Sequence, residues 1–112
     1  MEKIRNPHLE AENLGEIGLR EASAELHQIE DFGNGIRHGI RQDDIEMVNG
    51  YLAKMMALEI VSQIDQEFLT SDLEILHKFC NGTVDKEWAY EASHSLERTI
   101  TDFLIKERHL GE

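Results

Sequence analysis

The sequence predicts an all-α fold, a single antiparallel four-helix bundle spanning residues 1–112, oligomeric through its second helix. Three observations carry this expectation. Apolar residues recur at helical spacing along most of the chain. Cap and breaker residues, such as Asn6-Pro7, Asp43-Asp44 and Asn81-Gly82, punctuate the apolar stretches. No segment sustains a period-2 alternation, and β-branched runs are few.

The first helix is expected from about Leu9 to Phe32, stopped by Gly33-Asn34-Gly35. A basic loop, Arg37-His38-Gly39-Ile40-Arg41, would follow. The second helix would start behind Asp43-Asp44, which suit an N-cap, and continue to about Glu67. Thr70-Ser71-Asp72 would open a short third helix ending at Asn81-Gly82, with Ser71 and Glu74 as a capping box. The fourth would run from about Asp85 to Glu107. Connections this short favour antiparallel neighbours.

Composition narrows the functional classes. At 112 residues with 40% apolar content, the chain can close one core, and a single proline leaves no linker in view. The net charge is −12, with 23 acids against 11 Lys and Arg. Direct nucleic-acid binding, which needs clustered cations, is not expected. An acidic surface suits divalent cations, a basic protein partner, or solubility. Neither a signal peptide nor a membrane span is expected, because early Glu residues interrupt every apolar run. The lone Cys80 beside Phe79 reads as a buried thiol in a reducing compartment, which points to the cytoplasm.

Helical projection sorts the acids. On the first helix Leu14, Ile17, Ala22, Leu26, Ile29 and Phe32 form one stripe, and Glu12, Glu16, Glu30 and Asp31 fall opposite. Glu21 and Glu25 project near the middle of the stripe, one turn apart. Inward carboxylates need compensation, from a divalent cation or from half-solvation and a bridging Arg. The second helix is apolar nearly all round. Ile45, Val48, Leu52, Met55, Met56 and Ile60 mark one face, and Met47, Tyr51, Leu58 and Val61 another that a subunit interface would cover. Asn49 and Glu59 fall within its main stripe and Glu46 on the border, so Glu46 and Asn49 can converge on one ligand.

Two patterns are set aside. Glu74-x-x-His77 and Glu91-x-x-His94 have the spacing of di-iron carboxylate bundles, but Glu74, Glu91 and His94 project outward. Arg20 and His27 have the spacing of HEPN-type ribonucleases, yet both sit on the polar face of the first helix.

Taken together, Glu21 and Glu25, then Arg37-His38-Gly39, then Glu46-x-x-Asn49 resemble the small MazG-like nucleotide pyrophosphohydrolases over roughly Leu14 to Leu69. The resemblance implies an all-α enzyme in which acids hold Mg²⁺ against a nucleoside triphosphate. A bound water then releases a monophosphate and pyrophosphate. It makes Glu21, Glu25 and Glu46 metal ligands, Asn49 an auxiliary ligand, and Arg37 and Arg41 the groups that steady the nucleotide phosphates. It assigns no catalytic base. The family carries Glu-Glu-x-x-Glu and Glu-x-x-Asp; here Ala22 and Asn49 replace two acids, so catalysis is expected to be weakened or lost. The competing expectation is a non-enzymatic acidic helical module that docks a basic protein, acts as an inhibitor, or mimics DNA.

Overall fold

Among the described residues, four α-helices and one 3-10 segment make up the regular structure: α1 (Pro7–Arg41), α2 (Ile45–Met56), the 3-10 turn (Glu59–Gln63), α3 (Glu67–Cys80) and α4 (Lys86–Glu107). The structure, a computed structural model, describes residues 7–108, and side chains from residue 23 onward. Among the described residues there is no strand, and the arrangement is the expected all-α four-helix bundle. The contacts of Glu25 with Arg108, Arg37 with Ser93, and Arg41 with Tyr90 run α1 antiparallel to α4. Cys80 at the end of α3 meets Asn49 near the start of α2, which completes an up-down-up-down order.

The first helix does not stop at Gly33-Asn34-Gly35 but continues to Arg41. A glycine inside a helix costs about 1 kcal/mol relative to alanine, so something must outweigh it. Ile29, Ile36 and Ile40 hold the helical register and are all buried. Each nearby glycine is also a point of close approach. A Cβ at Gly33 would lie 1.9 Å from the Glu97 carboxylate, and one at Gly35 would lie 2.4 Å from the Tyr51 ring. At Gly39 it would meet Val48 at 2.8 Å. What reads as a breaker in the sequence is the surface on which α2 and α4 seat. The expected basic loop is therefore the last turn and a half of α1.

The hairpin to α2 uses three residues. Asp43 takes the left-handed conformation at φ 56, and Asp44 caps α2 by accepting from the Met47 amide at 3.0 Å. Lys86 ties this corner to α4, reaching Asp43 at 3.0 Å and the Arg41 carbonyl at 3.1 Å. A cation at the end of α1 also suits the helix dipole.

The second helix ends at Met56, eleven residues short of the expected Glu67. Its all-round apolar pattern arises from two elements rather than one. The chain turns after Ala57, and the 3-10 segment lets Ile60, Val61 and Ile64 fall inward beneath the bundle's end. Val61 is thus core, not interface. Asn49 and Glu59, expected within the main stripe, are exposed. The third helix begins at Glu67, so Ser71 and Glu74 lie inside it and form no capping box. The fourth begins where expected, with Asp85 accepting from the Trp88 amide at 3.1 Å.

The core follows from these faces: Val48, Leu52 and Met55 from α2, Leu69, Leu76 and Phe79 from α3, and Ala89, Ala92, Leu96, Ile100 and Leu104 from α4. No helix among the described residues is long and apolar enough to cross a membrane.

One acid lies between α3 and α4. Burial raises the Asp72 carboxyl above its ordinary value, and the neighbouring Ser95 hydroxyl partly offsets the effect. A carboxyl raised on folding favours the native state when protonated. That benefit is full below the unfolded value of about 3.9 and is lost as pH rises through the higher folded value. Asp72→Asn is therefore expected to raise the melting temperature at neutral pH, with the gain shrinking as the solution is acidified. Melting curves across acid and neutral pH check this; a gain of constant size would contradict it.

Candidate functional site

The residues singled out by the sequence are distributed between the two ends of the bundle. At the end where α4 finishes, Glu25 lies half-buried on α1 and receives both arms of one guanidinium. Arg108 Nε donates to its Oε1 at 3.2 Å and Nη2 to its Oε2 at 2.9 Å. This hydrogen bond and the Glu25 charge hold Arg108 above its ordinary pKa. The geometry is the bridging Arg, one of the two arrangements open to an inward carboxylate. Gln28, Ile29, Leu58, Glu59 and Ile60 complete a small cavity of about 190 Å³ beside Glu25. The side chains of Glu21 and Ala22, of Leu14 and Ile17 in the stripe, and of Arg20 lie outside the described residues.

Glu46 belongs to the opposite end. It sits in the first turn of α2, exposed, beside a depression of about 330 Å³ lined by Asp44, Met47, Gly50, Tyr51 and Lys54. Leu58, which lines the Glu25 cavity, is twelve residues further along. At 1.5 Å per helical residue that is roughly 18 Å. Asn49 is exposed, and its Oδ1 accepts from Cys80 Sγ at 3.4 Å. Glu25, Glu46 and Asn49 thus occupy three different environments. Among the described residues no three His, Cys, Asp or Glu side chains converge to hold a metal ion. Glu25 already accepts a bidentate cation, so the described donors do not fit Mg²⁺ as a shared ligand set.

The two arginines expected to steady a phosphate are engaged by the fold. Arg37 is only 9% exposed. Its Nη1 donates to Ser93 Oγ at 3.2 Å and its Nη2 to Asn34 Oδ1 at 2.8 Å. Nη2 also lies 2.7 Å from Glu97 Oε1, a charge contact without a well-aligned hydrogen bond. Ser93 is fully buried, so the group is an interior clamp between α1 and α4. Arg41 is exposed, and its Nε donates to the Tyr90 hydroxyl at 3.1 Å.

Two further grooves were not legible in the sequence. A cavity of about 600 Å³ opens beside the α1–α2 hairpin, lined by Asp43, Ile45, Phe79, Cys80, Val84 and Lys86 among others. Cys80 is half-buried there rather than enclosed, and burial pushes its thiol pKa up, which keeps it protonated and unreactive. The other groove, about 570 Å³, runs along the outer side of α1 and α2 past Phe32, His38, Met47, Tyr51 and Lys54. Phe32 and Tyr51 face each other at 6.4 Å, and Lys54 Nζ lies 4.9 Å from the Tyr51 ring centre. Ending the first helix at Phe32 hid this surface. The available signal was Ile29, Ile36 and Ile40 continuing at helical spacing through the glycines. No protein family, curated protein or solved structure matches the chain.

Proposed function

We propose that this chain is a non-catalytic acidic helical module that docks on a basic protein surface, works in the cytoplasm and self-associates through α2. The observation that supports it is the state of the acids. Among the described residues only Asp43, Glu25 and Glu97 contact a Lys or Arg within ion-pair distance. Glu30, Asp31, Glu46, Glu67, Glu87, Glu91 and Asp102, on all four helices, are exposed. A surface this uncompensated repels itself, and a cationic partner relieves the repulsion. The acids are spread around the bundle, which suits a partner that wraps or bridges it. The half-buried Cys80 thiol suits a reducing compartment.

The nucleotide-hydrolase reading has a definite opposing signature. If Mg²⁺ bound only the folded chain at a hundredfold excess over Kd, it would stabilise it by about 2.7 kcal/mol. The experiment pairs two measurements on the full chain. Fluorescence anisotropy of a labelled Lys/Arg-rich peptide is expected to show binding that weakens steeply as salt rises. Melting curves in millimolar Mg²⁺ and Mn²⁺ are expected to stay flat, with no pyrophosphate released from nucleoside triphosphates. A metal-dependent rise abolished by Glu25→Gln but kept by Glu74→Gln, with pyrophosphate release, would overturn the proposal.

A further inference from the structure

The outer face of α2 carries a charged strip that makes no ion pair among the described residues, although Lys54 also rests over the Tyr51 ring. Glu46, Gly50 and Lys54 are spaced four residues apart, lie within one narrow strip of the helix and are all exposed. Among the described residues Lys54 contacts no carboxylate, and Glu46 contacts no Lys or Arg. Met47 and Tyr51 flank the strip, half-buried, and the depression over Gly50 is about 330 Å³.

Gly50 differs from the three glycines late in α1. Gly33, Gly35 and Gly39 each lie under a side chain of α2 or α4, whereas a Cβ added at Gly50 meets nothing within 4 Å. A mid-helix glycine is unfavourable relative to alanine, and no contact among the described residues explains this one. Close approach of another backbone from outside would explain it.

The charges say which backbone. Glu46 lies one turn before Gly50 and Lys54 one turn after, so the strip reads acid, glycine, base. Such a strip is complementary to itself when reversed. A second copy of α2, crossing antiparallel on a two-fold axis at Gly50, sets Glu46 against the partner subunit's Lys54, and Lys54 against the partner subunit's Glu46. A purely basic partner would leave Lys54 opposed by like charge; a purely acidic one would oppose Glu46. We infer that α2 forms an isologous homodimer interface crossing at Gly50, with Glu46 and Lys54 paired reciprocally and Met47 and Tyr51 closing over the crossing. This rests on the proposed self-association through α2 and adds its register. At physiological salt, charges beyond about 8 Å are largely screened, so much of the −12 on each copy is not felt across the contact.

The test is sedimentation equilibrium of the full chain and its variants, with helical circular dichroism confirming that each variant folds. The wild type is expected to dimerise. Glu46→Lys and Lys54→Glu, taken singly, each place like charges opposite and should weaken the dimer by about tenfold or more. Mixed together, the two variants should form a heterodimer tighter than either variant's homodimer, because every opposed pair is again of opposite sign. Gly50→Gln should also favour monomer by filling the crossing point. A wild type that stays monomeric up to millimolar concentration overturns self-association and the register with it. A wild-type dimer indifferent to both charge reversals and to mixing leaves self-association standing and overturns the register.

Discussion

Arg37→Ala is expected to lower the stability of the fold by about 3 kcal/mol, a large share of the 5–15 kcal/mol typical of small domains. The side chains of Arg37 and Glu97 are 11% and 23% exposed. Removing the guanidinium leaves the Glu97 carboxylate against Gly33 with no counter-charge. It also strips the Ser93 hydroxyl and the Asn34 carbonyl of a donor. For a chain of this size a loss of 1 kcal/mol shifts the melting temperature by about 4 °C, so the drop should be on the order of 12 °C. The double replacement Arg37→Met with Glu97→Leu should recover most of the loss, because it removes both charges together and leaves neither orphaned. Thermal melts of the two variants decide the matter. If the double variant is no more stable than Arg37→Ala, the clamp acts through packing rather than charge.

Gly39→Val should cost about 2–3 kcal/mol, despite valine's better helix propensity. A Cβ at Gly39 would lie 2.8 Å from Val48 Cγ2, 3.0 Å from the Val48 amide nitrogen and 3.2 Å from the Asp44 carbonyl. Two of these neighbours are backbone, so no rotamer change relieves the clash. The start of α2 must move away, which strains the 2.8 Å hydrogen bond from the Asp44 amide to the Gly39 carbonyl and the Asp44 cap that follows it. Gly50→Ala is the control. Nothing lies within 4 Å of its added methyl, so at concentrations where the chain is monomeric it should stabilise the fold by about 0.5–1 kcal/mol. Urea titrations of both variants give the comparison. Equal effects at Gly39 and Gly50 would mean that close packing does not explain the α1 glycines.

Fold class, the existence of four helices, the apolar faces of α3 and α4, and the Asp44 cap were legible in the residues alone. These properties are local: spacing every three or four residues and a side chain that reaches its own helix's amides are written within a single turn. The sequence also allowed that an inward Glu25 could meet an Arg. That the partner is Arg108, 83 residues away, depends on how α1 and α4 align. Tertiary packing carries the helix through Gly33-Asn34-Gly35 and turns the end of α2 into a 3-10 segment. Only in the packed bundle do Arg37 and Glu97 meet inside, and only there do Glu25 and Glu46 part to opposite ends. Glycine is the plainest case. Its propensity argues for a break, and that preference of about 1 kcal/mol yields wherever a neighbouring helix packs against the space a Cβ would fill.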